Sequence, residues 1–192
     1  MVVQNQKTKI STPEEYLDLE EKSPEKNEYI KGNIIQMAGG TPNHNKLAGN
    51  FYAALNFALK GQPLDVFVTD QRLWIPSEQI YTYPDIMIMT NPLEYAENRN
   101  DTLISPLLIG EVLSKSTRNF DKDEKFAAYR TFSSFQEYIL IDQYCIHVEQ
   151  YIRTEPNKWL FIEYNQPEMI VSLSSVNVQI EIADIYDKVN LD

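Results

Sequence analysis

The sequence has few of the side chains that crosslink a small protein or hold a structural metal ion. It contains one cysteine, Cys145, and two histidines, His44 and His147, among 192 residues. A single cysteine excludes an intrachain disulfide, and this small set cannot complete a four-ligand structural zinc site. Such cysteine usage is typical of a reducing cytoplasm, which is the expected location.

Long apolar runs and an excess of positive charge are also missing. The first eleven residues, MVVQNQKTKIS, predict neither a signal peptide nor a membrane anchor, so no membrane partner is expected. The formal net charge is −11, which argues against a broad, non-specific nucleic-acid surface. A local basic patch remains possible, because residues 111–131 carry five positive against four negative side chains.

Length and composition together predict one globular domain. A chain of 192 residues with 43% hydrophobic and 23% charged residues is large enough and apolar enough to bury a core. We expect residues 1–11 to form a disordered arm and residues 12–192 to fold as a single domain.

A carboxylate inside an apolar run is the most informative local feature. Residues 106–113, PLLIGEVL, predict a buried strand that contains Glu111. Glutamate is rarely buried without a partner, because an unpaired charge is costly to remove from water. Asp121, Lys125 and Tyr129 follow at helical spacing on one face, from which Lys125 could point back at Glu111.

A second carboxylate, Asp85, begins another apolar strand. It follows Pro84, which lacks a backbone N–H and therefore suits the start or edge of a strand. Two acids leading into two buried strands, with a lysine nearby, suit a hard divalent cation such as Mg²⁺. The lysine could then stabilise charge on a phosphate or help to activate water.

These residues resemble the PD-(D/E)XK nuclease superfamily, and more narrowly its Uma-type branch of bacterial restriction endonucleases. The resemblance extends from about residue 12 to the C-terminus. The Pro-Asp dipeptide alone is a weak signal, whereas the EVLS…ST…D…K…Y series with its spacing is fairly specific. The residues that carry it are Pro84-Asp85, Glu111-Val112-Leu113-Ser114, Ser116-Thr117, Asp121, Lys125 and Tyr129.

The resemblance implies a phosphodiesterase that depends on Mg²⁺ or Mn²⁺, with Asp85 and Glu111 as metal ligands. Our hypothesis adds the backbone carbonyl of Val112 as a further ligand and Lys125 as the active-site lysine. Asp121 and Tyr129, one helical turn to either side, would hold Lys125 in place. The expected substrate is nucleic acid, above all DNA, and cutting of both strands would favour a two-fold homodimer.

The sequence departs from the superfamily pattern at the lysine. The usual E-x-K would place lysine at position 113, where this chain has Leu113; the Uma-type branch moves it to the next helix, here Lys125. The branch also usually has proline where this chain has Lys115. Residues 111, 113 and 115 would share a face if the strand ran on, so Lys115 is a rival for the lysine role.

Two further residues within the resemblance have two readings each. Glu28, in a hairpin predicted over 28–37, is either a third acid at the metal site or a solvated strand-end carboxylate. His44, in the first turn of a predicted helix, either touches a phosphate or metal-bound water or is simply a polar residue at a helix start.

The predicted elements form an α/β fold with a restriction-endonuclease-like αβββαβ core and a mixed central sheet. Added β-hairpins at both ends are expected to extend that sheet. The core elements are helix 43–60, strands 64–75, 81–89 and 106–113, helix 121–131 and strand 136–142.

Metal-dependent endonuclease activity is therefore the favoured function. One alternative is a catalytically silent, nuclease-like protein-interaction module. The other is a nuclease subunit that needs a DNA-recognising partner, because the sequence shows no helix-turn-helix, zinc finger or basic arm.

Overall fold

The computed structural model describes residues 11–191, which form helices packed around a central sheet. A π-helical turn, Asp121–Lys125, joins the third helix to the fourth. The helices are α1 (Pro13–Glu20), α2 (Pro42–Ala58), α3 (Arg118–Phe120), α4 (Phe126–Tyr129) and α5 (Ile182–Ile185). The strands are β1 (Asn27–Ile30), β2 (Asn33–Gln36), β3 (Leu64–Val68), β4 (Arg72–Ile75), β5 (Ile80–Thr82), β6 (Ile86–Thr90), β7 (Thr102–Leu103), β8 (Pro106–Leu113), β9 (Glu137–Asp142), β10 (Val148–Glu155), β11 (Lys158–Tyr164), β12 (Ile170–Leu173) and β13 (Val178–Glu181).

Six strands form the main sheet, in the order β11-β10-β9-β8-β6-β3. β8 and β9 are parallel, and the other neighbours are antiparallel, so the sheet is mixed. The parallel pair is joined through the 118–129 helix, as a parallel connection requires a crossover. The predicted α/β fold and the order of its core elements are confirmed.

Side chains alternate between two hydrophobic layers on the faces of this sheet. Leu108 and Val112 pack with the apolar stripe of α2, including Phe51 and Leu55. Ile109 and Leu113 pack on the opposite face with Tyr129 of α4 and with apolar residues of β4, β5 and β7. Glu111 lies on the same face of β8 as Ile109 and Leu113, so its side chain faces the 118–129 helix.

Close packing of α2 depends on Gly110. A Cβ atom at this position would lie 3.1 Å from Phe51 Cε1 and 3.4 Å from the Cβ of Ile86. The missing side chain therefore lets the helix rest directly on β8 and β6, beside the two strand ends that carry acids.

The prediction of one continuous strand over residues 64–75 and another over residues 81–89 is wrong. Each divides into two strands that belong to different sheets. β3 and β6 lie in the main sheet, whereas β4 and β5 lie in a smaller sheet, which has five strands in the order β2-β1-β5-β4-β7. The two bends meet, because Thr69 N–H donates to the carbonyl of Asp85 at 3.0 Å. Asp85 therefore lies where the chain passes from one sheet to the other.

The expected hairpin extensions of the central sheet are confirmed on the C-terminal side and wrong on the N-terminal side. The hairpin β10–β11 does extend the main sheet, but the N-terminal hairpin β1–β2 belongs to the smaller sheet. Near the C-terminus, β13 pairs with β12 in a separate two-stranded sheet, and α5 begins directly after it at Ile182. The helix predicted at 121–131 spans 118–129 instead.

The disordered arm predicted for residues 1–11 lies outside the described residues, except for Ser11. The N–H of Ser11 donates to Gly32 O at 2.9 Å, and its carbonyl accepts from the Tyr29 hydroxyl at 3.0 Å. Within residues 11–191, no helix has the length and apolar character needed to cross a membrane.

Candidate active site

Asp85 and Glu111 meet at adjacent ends of β6 and β8. Ile86 pairs with Gly110, so the preceding Asp85 comes level with Glu111. Asp85 N–H donates to Glu111 Oε2 at 3.2 Å, and Val112 N–H donates to Asp85 Oδ2 at 2.8 Å. The sequence predicted both acids for one site, and the antiparallel register explains how they come together.

Lys125 lies among three carboxylates. Its Nζ is 3.3 Å from Glu111 Oε1, 3.3 Å from Glu28 Oε1 and 3.4 Å from Asp121 Oδ1. The residue is only 6% exposed. Burial alone would lower the pKa of the Lys125 ammonium, but the surrounding carboxylates raise it well above its usual value. Lys125 therefore carries a positive charge in this setting.

The helix that supplies Lys125 places its neighbours as the spacing predicted. Asp121 and Tyr129 are both buried on the same side, and the Tyr129 hydroxyl donates to Glu111 Oε1 at 2.8 Å. The turn from Asp121 to Lys125 is π-helical, a form that often occurs at functional sites. Tyr138, which the sequence did not indicate, donates its hydroxyl proton to the Asp121 carbonyl at 3.1 Å.

Glu111 is in a strongly unfavourable position for a negative charge. Burial raises the pKa of Glu111 to about 8; the Lys125 ammonium opposes this rise, and the Asp85 and Asp121 carboxylates add to it. The pKa of Asp121 is also raised, first by burial, despite the nearby lysine. One ammonium thus faces more carboxylate charge than it neutralises.

His44 belongs to the site rather than to a solvated helix start. The α2 cap residue Thr41 accepts the His44 backbone N–H at 3.1 Å, and His44 Nε2 lies 3.1 Å from Asp85 Oδ2. Burial lowers the pKa of the imidazole, but the hydrogen bond and charge of Asp85 raise it more, so the net direction is upward. His44 Nδ1 is buried without a hydrogen-bond partner among the described residues.

Glu28 reaches the site from the smaller sheet. β1 pairs with β5, so Glu28 lies beside Thr82, whose hydroxyl donates to Glu28 Oε1. Its side chain is 13% exposed, so Glu28 is not a solvated strand-end carboxylate. Thr82 had no sequence signal, because its role depends on a strand pairing between segments more than fifty residues apart.

Lys115 does not reach the carboxylates. β8 ends at Leu113, so the alternation that would place residue 115 on the face of Glu111 stops before it. Lys115 is exposed, and its ammonium lies 5.4 Å from the centre of the Tyr144 ring. The structure brings Lys125, and not Lys115, to Glu111.

The donor set fits a hard divalent cation. Carboxylate oxygens of Asp85 and Glu111 converge beside Val112, whose N–H points at Asp85. Because the N–H and C=O of a strand residue point to the same side, the Val112 carbonyl faces the same space. Oxygen ligands of this kind are those that Mg²⁺ prefers.

The chain matches a known protein family over most of its length. The sequence profile of the Uma2 family, described as "Putative restriction endonuclease", matches residues 13–184. The chain belongs to the Uma2 family. The resemblance inferred from the sequence motifs is thereby confirmed, and nuclease-type hydrolase chemistry is the activity that the family description names.

Two relatives of this Uma2 chain come from Synechocystis sp. (strain ATCC 27184 / PCC 6803 / Kazusa). The uncharacterized protein sll1609 is 43% identical over 156 residues, which cover 81% of this chain and 88% of that protein. The uncharacterized protein slr1290 is 30% identical over 175 residues, covering 91% and 90% respectively.

A solved structure shares the fold of this Uma2 chain. It is the crystal structure of "a putative nuclease belonging to DUF820" from Anabaena variabilis ATCC 29413. The two superpose with a TM-score of 0.74 over 92% of this chain and 98% of the other, at 23% sequence identity. At that identity the likeness establishes the fold.

Proposed function

We propose that this Uma2 protein is an endonuclease that hydrolyses DNA phosphodiester bonds with Mg²⁺ or Mn²⁺ as cofactor. The observation that carries the proposal is the junction of Asp85 and Glu111 at two adjacent strand ends, with the Lys125 ammonium 3.3 Å from Glu111. Nuclease family membership supports the reaction class. DNA is proposed as the substrate because the family description names a restriction endonuclease.

Asp85 and Glu111 would hold the cation, with the Val112 carbonyl as a further oxygen ligand. When bound, a divalent cation lowers the pKa of a water molecule and polarises the scissile phosphate. The excess of carboxylate over ammonium charge at Glu111 favours such a ligand, since a cation would offset the cost of keeping the acids ionised.

Lys125 would stabilise negative charge on the phosphate, or orient or deprotonate the attacking water. Its pKa is raised by Glu111, Glu28 and Asp121, which favours the two roles that a protonated Nζ can perform. A buried ammonium held by three carboxylates is pre-organised, and such groups act most strongly on charge that develops in the transition state. Tyr129 would fix Glu111 through its hydrogen bond to Oε1.

The direct test is nicking of supercoiled plasmid by the purified full chain with Mg²⁺, with Mn²⁺ and with EDTA. We expect product with either metal and none with EDTA, because the acids cannot polarise a phosphate without the cation. Cutting that persists in EDTA would contradict the metal requirement. If no metal supports cutting of DNA or RNA, the endonuclease proposal fails for the isolated chain, and a partner-dependent subunit or a silent interaction module becomes the better description.

Metal binding should also be visible as stabilisation of the fold. We expect Mn²⁺ at about a hundred times its dissociation constant to add about 2.7 kcal/mol to the free energy of unfolding, measured by thermal or urea melting. Asp85→Asn should remove most of this gain. Unchanged stabilisation in that variant would place the metal elsewhere.

A second group of possible metal ligands provides the control for this measurement. His147, directly before β10, Glu149 on β10 and Glu163 on β11 offer ligand atoms within 4.8 Å of one another. They are already engaged: His147 Nε2 lies 3.0 Å from Glu163, and Lys122 pairs with Glu149. Glu163→Gln should therefore leave the Mn²⁺ stabilisation unchanged.

A further inference from the structure

An exposed aromatic side chain lies in a turn that is hydrogen-bonded to the end of the strand carrying Glu111. Tyr144 follows β9 in the turn that leads to β10, and it is 42% exposed. Tyrosine rings on a protein surface provide a flat apolar face on which an unpaired nucleic-acid base can stack. Whether this ring could bind a base of the substrate depends on how its turn is attached to the strand that carries Glu111.

The preceding residue, Gln143, fixes the turn to the site. Gln143 is 2% exposed, and its amide donates to the Leu113 carbonyl at 2.9 Å, at the end of the strand that carries Glu111. Its side-chain oxygen, Oε1, accepts the hydroxyl of Thr41 at 2.5 Å, and Thr41 in turn accepts the His44 backbone N–H at the start of α2. Tyr144 thus projects from a turn that is fastened to both β8 and the start of α2.

Lys115 lies next to the Tyr144 ring. Its backbone N–H donates to the Tyr144 hydroxyl at 3.3 Å, and its ammonium lies 5.4 Å from the ring centre. Among residues 11–191, no carboxylate lies within ion-pair distance of that ammonium, whereas Lys122, Lys125 and Arg118 are each paired with acids. Lys115 is thus an exposed cation without an acidic partner in the described part of the chain, although the full sequence has a net charge of −11.

We propose that Tyr144 and Lys115 form a nucleotide-binding subsite next to the phosphodiesterase centre, in which an unpaired base stacks on the ring and the adjacent phosphate contacts the ammonium. A base inside a duplex cannot present its face to the ring, so the preferred substrate is single-stranded DNA or a locally unpaired strand. The assignment of this strand to a cutting reaction depends on the proposed function, but the binding itself does not.

The test is fluorescence anisotropy with a labelled single-stranded oligonucleotide and its matched duplex, in Ca²⁺ under conditions where no product forms. We expect wild type to prefer the single strand. Tyr144→Ala should weaken single-strand binding by about 5- to 150-fold, the range for loss of one stacked base, and Tyr144→Phe should retain it. Lys115→Ala should weaken binding and flatten its salt dependence by the share of one phosphate contact, about 0.7 in the log–log slope.

Tyr95 supplies the matched control, because it is 44% exposed but lies in the segment between β6 and β7. Tyr95→Ala should bind as wild type does. Single-strand binding that is unchanged in Tyr144→Ala, or equal losses for single strand and duplex, would overturn the subsite. If wild type cuts DNA and Tyr144→Ala binds and cuts as wild type does, the subsite proposal fails and the nuclease proposal stands. If Tyr144→Ala weakens single-strand binding but wild type does not cut, the subsite proposal stands and the nuclease proposal fails.

Discussion

Plasmid nicking in Mn²⁺ is expected to fall by about 10²- to 10³-fold or more in Asp85→Asn and in Glu111→Gln. Both changes keep the size of the side chain and remove a charged oxygen donor. Because the two carboxylates converge on one space, where Glu111 accepts the backbone N–H of Asp85 and Asp85 accepts that of Val112, loss of either should disable the same cation position. Initial rates at saturating metal, with KM for DNA measured separately, give the comparison.

The control for this result is Asp123→Asn. It makes the same chemical change within the same π-helical turn as Asp121, but Asp123 is exposed. We expect its nicking rate to stay within about twofold of wild type, because Asp123 is exposed and a surface substitution usually changes stability by no more than about 0.5 kcal/mol. Normal cutting by folded Asp85→Asn, or equal losses in Asp123→Asn, would refute the assignment of the metal ligands.

The second large effect concerns stability. Lys125→Met should lower the free energy of unfolding near neutral pH by about 3–5 kcal/mol, the usual cost of removing one partner from a buried charge cluster. Without the ammonium, Glu28, Glu111 and Asp121 face one another with no buried cation between them. Urea unfolding followed by circular dichroism, without divalent metal, measures the loss.

The pH dependence of this loss follows from the raised pKa of Glu111. The folded form of a group with a raised pKa binds its proton more tightly than the unfolded form, so its contribution to stability is present at low pH and is lost as pH rises through the folded value. That value is about 8 for Glu111 in wild type, and removal of Lys125 should raise it further. The cost of Lys125→Met should therefore be smaller at about pH 5 than at about pH 8.

Two comparisons make the stability result specific. Lys60→Met removes an exposed lysine and should change the free energy of unfolding by less than about 0.5 kcal/mol. The double variant Lys125→Met/Glu111→Gln should regain part of the loss, since one of the facing acids is neutral. Equal destabilisation by Lys125→Met and Lys60→Met would show that the buried cluster contributes nothing.

The order of the core elements could be predicted because each has a clear local pattern. The apolar run of β8 and the leucine and phenylalanine stripe of α2 match the periods of a strand and a helix. The division of residues 64–75 could not be predicted, because the bend lacks glycine and proline and instead places Thr69 at a φ of 52°. Which sheet a strand joins depends on distant partners rather than on its own pattern.

The candidate site shows the same limit. Helical spacing was enough to place Asp121, Lys125 and Tyr129 on one buried face. The sequence could not decide between readings for Glu28 and His44, because each reaches the site through a different tertiary contact. The rival role of Lys115 depended on a strand continuing past Leu113, and the position of a strand end is poorly specified by sequence.

The passage of the chain between the two sheets has a consequence for folding cooperativity. Asp85 and Glu111 belong to the ends of main-sheet strands, whereas Glu28 belongs to the smaller sheet, and Lys125 pairs with acids from both. Fraying of either sheet would leave buried charges without partners, so partly unfolded states that keep only one sheet are penalised. The residues proposed for catalysis therefore also make the two sheets open and close as one unit.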